Sequence, residues 1–328
     1  MRLAALLLVA LAVPAHAQQK AKPVELYVGY SVGGGYDIYA RLLARHLGRY
    51  LPGNPVVVPK NMEGAGSLRL ANWLYRAAPK DGSVIGTVGR GIPFDPLLGG
   101  AGAQFKANEF GWIGSANDEV SVCVSWGRKH IARFEDVFTR ELIVGGTGAT
   151  ADTDLFPKVI NNVLGTRFRI VTGYPGGNDV TLAMQRGEVD GRCGWSWSSI
   201  RTNHPQWVKD GTINLLVQLS LEKHTDLPQV PLIMDFIKTE EQRAILRIVF
   251  ARQVMGRPFL APPGVPAERL GALRRAFDAT MKDAEFLGEA RKLKLEITPV
   301  SGDRVQKLVA EIYRTPPEIL KKTAAASQ

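Results

Sequence analysis

The sequence has 328 residues, which at roughly 150 per domain points to about two domains. Hydrophobic residues make up 45% and charged ones 22%, which excludes a disordered chain, a fibrous repeat and a multi-span membrane protein. Lys and Arg number 41 against 31 Asp and Glu, a net charge of +10 that favours anionic partners, and two cysteines allow at most one bridge.

Met1 and Arg2 precede an apolar run, Leu3 to Val13, and Ala15-His16-Ala17 then offers a small-x-small cleavage site. This reads as a secretory signal peptide over 1–17, removed after Ala17. As a helix the run would reach only about 16 Å, too short for a hydrocarbon core of about 30 Å. The basic residues are scattered, and an exported protein rarely meets nucleic acid, so nucleic-acid binding is a poor account of the charge.

Strand, glycine loop and helix then alternate. Val24–Tyr30 reads as a strand, 31–37 as a loop, and Ile38, Leu42, Leu43, Leu47 and Tyr50 as a helical stripe stopped by Pro52-Gly53. Val56–Val58 is a strand, 61–67 a loop, Leu70 to Ala78 a helix and Val84–Val88 a third strand. This βαβαβ order implies parallel pairing with right-handed crossovers. The same grammar recurs past residue 117. Strands are expected at Glu119–Trp126, Leu142–Gly145, Phe168–Val171, Val189–Cys193 and Ile213–Leu219. Helices are expected at 155–163, closed by Gly165, and at 180–185, ended by Gly187. Further on, Gln253–Ala261 reads as a strand, Leu270–Leu293 as one long helical segment and Val305–Tyr313 as another. The expected division is 18–117 with 222–328 as one lobe and 118–221 as the other, hinged near 117 and 221.

Four loops, Gly33–Asp37, Gly64–Ser67, Gly146–Asp152 and Tyr174–Gly177, join strand ends to helix starts. Helix N-termini present unpaired N–H groups that suit anions, and ligands of open α/β sheets sit at strand carboxyl ends. Each loop alone reads as a plain turn; the set reads as an anion cleft. Gly33-x-Gly35 lacks the third glycine of a dinucleotide fingerprint, and no Gly-Lys-Ser/Thr follows any loop. The histidines lack metal-helix spacing, there is no Gly-x-Ser-x-Gly elbow, and Ser31, Ser67 and Ser196 have no evident base. Asp37 serves equally as a ligand contact or a helix cap. Trp195-Ser196-Trp197 offers an aromatic wall for a pocket or for inter-domain packing. No Arg lies within the four loops; Arg69, Arg90 and Arg192 lie near them and could serve as a carboxylate clamp, but solvated faces are the better reading. Cys123 and Cys193 fall on strands of one lobe, and whether they are bridged stays open.

At these loops the chain resembles the extracytoplasmic solute receptors of tripartite tricarboxylate transporters, the Bug receptors. Tyr30-Ser31-Val32-Gly33-Gly34 with Asp37 is similar to the family's Tyr-x-Pro-Gly-Gly-x-x-Asp loop, with Val32 for the proline. Asn61 with Gly64-Ala65-Gly66, the turn Ala78–Gly82, and Thr147-Gly148 match further elements. So do Tyr174-Pro175-Gly176-Gly177, Leu227–Pro231 and Ala261–Pro266. Asp154 stands where a histidine is common. The resemblance implies an α/β, two-lobed periplasmic binding protein fold with a hinged cleft between two mixed sheets flanked by helices. It also implies a periplasmic, monomeric, non-enzymatic receptor without cofactor or metal. Such a receptor captures a small organic carboxylate and docks on integral-membrane permease subunits. Carried over by position, Ser31, Gly34, Asp37, Gly66, Ser67, Thr147, Ala151, Tyr174, Gly176 and Gly177 would hold the ligand, with Trp195 added from the aromatic cluster. The rival readings are an exported hydrolase of carboxylate esters using a cleft serine, and a sensor that presents ligand to a membrane kinase.

Overall fold

A computed structural model describes residues 22–99, 102–127, 131–149 and 151–328. The segment 1–17, read from the sequence as a signal peptide, lies outside the described residues.

Among the described residues, eleven strands form two sheets. They are β1 (Val24–Val28), β2 (Val57–Asn61), β3 (Val84–Thr87), β4 (Gly111–Ser115), β5 (Ser121–Trp126), β6 (Leu142–Gly145), β7 (Phe168–Val171), β8 (Gly191–Ser196), β9 (Ile213–Leu219), β10 (Pro258–Ala261) and β11 (Val300–Ser301). The first sheet has the order β11-β4-β10-β3-β1-β2, the second β7-β6-β8-β5-β9. β1 pairs in parallel with β2 and β3, as its βαβαβ connections require, while β10 runs antiparallel to β3 and β4. In the second sheet β6 is parallel to β7 and β8, and β5 is antiparallel to β8 and β9. Both sheets are therefore mixed, as expected.

The helices are α1 (Gly35–Leu47), α2 (Leu68–Arg76), α3 (Asp152–Leu164), α4 (Gly177–Arg186), α5 (Trp197–Asn203), α6 (Pro205–Lys209), α7 (Glu240–Ala251), α8 (Ala267–Thr280), α9 (Ala284–Lys292), α10 (Gly302–Ile312) and α11 (Pro317–Ala326). Leu42, Leu43 and Leu47 of α1 pack on Val24, Leu26 and Val28 of β1 and on Phe277 of α8 in the first-sheet core. Each such side chain contributes about 1.5–3 kcal/mol by leaving water. Among the described residues no helix is long and apolar enough to cross a membrane.

Three expectations need correction. The strand read over Gln253–Ala261 begins with a 3-10 turn at Arg252–Met255, and only Pro258–Ala261 pairs. Arg252 and Gln253 are buried there among polar partners, which apolar patterning does not register. The helical segment Leu270–Leu293 breaks after Thr280. Asp283 then caps α9 by accepting from the Phe286 N–H at 2.7 Å. Phe277, Met281, Phe286 and Ala290 share one core, so the stripe runs on through the break. Lastly, Ile245, Leu246, Val249 and Phe250 of α7 and Ala326 of α11 pack in the second-sheet core with Leu142 and Phe156. Sequence division assigned those segments to the first lobe.

Cys123 on β5 and Cys193 on β8 are joined in a disulfide within the second-sheet core. With a sequence separation of 70, the chain-entropy account gives about 4 kcal/mol of stabilisation. Denatured, unreduced protein should therefore titrate no free thiol, and reduction should lower the melting temperature. Two titratable thiols would contradict the bridge.

A polar network ties the sheets together on the side of α5. Arg201 of α5 donates to Asp226 (2.5 Å) and to Glu296 (2.8 Å), and His224 Nε2 lies 3.7 Å from Glu296. The Glu296 contact raises the His224 pKa, and His224 in turn lowers that of Glu296. A raised His value stabilises the fold fully below about pH 6.5, and that stability is lost as pH climbs through the folded value. The depressed Glu296 contributes above its unfolded value and is lost as pH falls through its folded one. The pair thus contributes most between about pH 5 and 6.5. His224→Asn should flatten the fall in melting temperature from pH 6 to 8; an unchanged profile would contradict this.

Candidate functional site

The N-terminal ends of α1, α3 and α4 converge where the two sheets face each other. Gly34 and Gly35 start α1 from the first sheet; Ala151 and Asp152 start α3 and Gly177 starts α4 from the second. Together they line a cavity of about 60 Å³ with Gly66, Thr147, Ser196 and Ser199. The first N–H groups of a helix have no intrahelical acceptor and carry the positive end of its dipole. The cavity is thus rimmed by anion-favouring ends from both sheets.

Five of the eleven expected residues line this cavity: Gly34, Gly66, Thr147, Ala151 and Gly177. The others stand behind it or beside it. Ser31 donates to Asp179 Oδ2 at 2.7 Å, a latch from the first sheet's loop to α4. Gly176 packs against that same serine. Asp37 is buried and accepts from the Gly33 N–H (2.8 Å), Arg41 Nε (2.8 Å) and Asn61 Nδ2 (2.9 Å), and these partners hold its pKa below the ordinary carboxylate value against the opposing effect of burial. It buckles its own loop onto β2. Ser67 Oγ accepts from the Gly89 N–H at 2.7 Å. Tyr174 packs beside Val171 and Met184 in a second-sheet cluster, with its hydroxyl toward Glu188. Trp195, only 2% exposed, sits in that cluster edge-on to His204 and Trp207, and Trp197 begins α5. Neither tryptophan lines the cavity. The residue between them, Ser196, does, because β8 alternates and turns into α5 there.

One wall of the cavity is cationic, and of its three arginines only Arg257 had no place in the sequence reading of the site. Arg90, Arg192 and Arg257 line the cavity, and the reading of Arg90 and Arg192 as solvated faces is overturned. Arg90 is 2% exposed. It donates to Asp152 (2.5 Å), Ser121 (2.7 Å) and Ser196 (3.2 Å), while its Nη1 is buried without a partner. Arg257 pairs with Glu119 at 3.2 Å, donates to Ser198 and Ser199 at 3.1 Å, and lies over the rings of Tyr36 and Tyr39. Burial, with the Arg257 charge adding to it, pushes the Arg192 guanidinium down to about 9, so it stays cationic at neutral pH. Tyr30 and Tyr36 stack at 4.7 Å and also line the cavity; the Tyr30 hydroxyl donates to Gly66 O.

Asp154 holds the second-sheet loop from inside. It accepts from the Gly148 N–H and the Thr153 hydroxyl, each at 3.0 Å, and burial raises its pKa. The Thr147 N–H is taken by Thr153, and Thr147 O receives the Gly66 N–H at 2.9 Å across the cleft. Among the described residues no histidine lines the cavity, so its serines have no imidazole base there. What the arrangement offers is anion binding by dipoles, hydroxyls and guanidiniums.

No protein-family model matches the sequence. The chain is 23% identical over 333 residues to a curated protein, the UPF0065 protein in the gbd 5′ region of Cupriavidus necator, covering 96% of this chain and 92% of the relative. Among solved structures it is similar to the periplasmic binding protein BugD, with a TM-score of 0.73 and 22% identity over 92% of this chain and 97% of that one. It is also similar to MatC from Rhodopseudomonas palustris, solved with bound malate, with a TM-score of 0.72 and 16% identity over 91% and 98%. A second R. palustris protein, solved with adipate, gives a TM-score of 0.70 and 20% identity over 92% and 97%. The fold is that of a two-lobed periplasmic binding protein.

Proposed function

We propose that this chain is a solute receptor of the Bug type. In this reading it is a periplasmic, monomeric, non-enzymatic protein that closes on a small organic carboxylate and delivers it to the membrane permease of a tripartite tricarboxylate-type transporter. The observation that carries the reading is the meeting of three helix N-termini from two separate sheets at one cavity with a cationic wall. That geometry suits an anion gripped from both sides. The malate and adipate bound by two of the structural neighbours are of the same chemical class.

Gly34, Gly66, Thr147, Ala151 and Gly177 would contact the ligand, and Ser31 with Gly176 would form the closing latch. Among the described residues no histidine lines the cavity beside Ser196 and Ser199, which disfavours an ester hydrolase. A cavity of about 60 Å³ has room for only a few waters, so entry of an organic acid requires the lobes to part. The bend would fall at 116–120, between β4 and β5, again past α7, where the chain leaves the second-sheet core, and a third time between α10 and α11, where it returns there.

A thermal-shift screen with malate, succinate and adipate tests the reading. A ligand at 100 times its Kd should add about 2.7 kcal/mol of stability. Small-angle scattering with the same acid should show a smaller radius of gyration. No shift with any acid, or turnover of model esters, would overturn it.

A further inference from the structure

The guanidiniums around the cleft are matched to carboxylates with one exception. Arg257 has Glu119 at 3.2 Å, and Arg90 and Arg252 share Asp152 at 2.5 and 3.3 Å. Arg192 on β8 has no acidic partner among the described residues. Its Nη1 donates to Gly177 O at 3.0 Å and more weakly to Thr181 Oγ1 at 3.5 Å, and its Nε is buried with no partner. The guanidinium carbon lies over the Trp195 indole, 4.7 Å from the ring centre. A cation over an indole is attracted to the ring face, and that contact holds the guanidinium from behind. Arg192 is therefore a part-buried charge, held from behind by Trp195 and from one side by α4, that faces the cavity it lines.

An unmatched charge in such a place is costly unless something of opposite sign completes it. Resting on the receptor reading above, we propose that Arg192 is the specificity-determining residue of the cleft. It pairs with an anionic oxygen of the ligand and makes the receptor discriminate by ligand charge. A carboxylate matches a guanidinium fork with two parallel hydrogen bonds, whereas an amide matches it poorly and brings no charge. Trp195, expected from the sequence to touch ligand, acts one step back as the positioning residue for Arg192.

The test uses malate, succinate and adipate, each beside its monoamide, against wild type, Arg192→Met and Arg192→Lys by titration calorimetry. The ligand-free melting temperature of each variant is recorded. Wild type should prefer the best-bound diacid over its monoamide by at least tenfold. Arg192→Met should lose at least tenfold for the diacid while the monoamide changes less than twofold, so the preference collapses. Arg192→Lys should keep part of it, and it carries the test should Arg192→Met not fold. A variant that weakens acid and amide equally would make Arg192 merely structural and overturn the assignment. So would a variant that binds the diacid like wild type. Binding of none of the three acids by wild type would overturn the receptor reading, and this assignment with it.

Discussion

Replacing Asp152 by Ala should cost about 3–5 kcal/mol, a figure typical of removing one member of a buried ion pair. Asp152 accepts from Arg90 at 2.5 Å and from Arg252 at 3.3 Å, and both arginines are at most 2% exposed. Its loss leaves Arg90 with two serine hydroxyls and only the remoter charge of Glu119. Arg252 is left with the more distant Asp95 charge and the rings of Phe94 and Phe156. Because Arg90 follows β3 and Asp152 opens α3, the substitution also cuts a link between the two sheets. At about 2–4 °C per kcal/mol for a chain of this class, the melting temperature should fall by on the order of 10 °C. Asp152→Asn keeps an acceptor and should fall less. A drop of under about 2 °C for the alanine variant would mean the pair is not structural.

Gly176→Val should block the closed cleft, whereas Gly34→Val should leave fold and closure intact and act only through the ligand's space. A Cβ at Gly176 would overlap Ser31 Oγ and lie 3.0 Å from the Ser31 nitrogen, so backbone as well as side chain must move. Its φ of −166° is ordinary extended backbone, so the substitution brings no conformational strain within its own lobe. The collision arises only when the two loops meet, and it also disturbs the Ser31–Asp179 latch. Overpacking of this kind costs about 1–3 kcal/mol, so carboxylate affinity should fall roughly tenfold to a hundredfold. A Cβ at Gly34 meets only Ser31 O at 3.5 Å, ordinary contact. Any loss there would report space taken from the ligand itself. Equal, undiminished binding by both variants would mean that these loops do not close over ligand.

Loop positions were legible because strand end, glycine and helix start are adjacent in sequence. Gly34, Gly66, Thr147, Ala151 and Gly177 reach the cavity through that local grammar. The burial of Arg90, Arg192 and Arg257 was not legible. A buried arginine is defined by what packs around it, and Arg192 looks like the solvated face of an alternating strand until Trp195 and α4 enclose it. Arg257 reaches the cleft from a buried segment that patterning read as the middle of a strand. Asp37 and Ser67 were misplaced for a related reason. Both belong to the loops by sequence, but their side chains turn inward to hold backbone in shape. Helix α7 was missed although Thr239 and Gln242 form a capping box that the sequence displays. With it went the attachment of 240–251 to the second-sheet core, which depends on contacts remote in sequence.

The most direct test of the receptor account is calorimetric titration of the purified chain with malate, succinate and adipate at neutral pH, with the ligand recovered afterwards. The account predicts saturable binding of at least one acid at one molecule per chain, and recovery of that acid chemically unchanged. Absence of saturable heat with all three, or recovery of a transformed product, would contradict it.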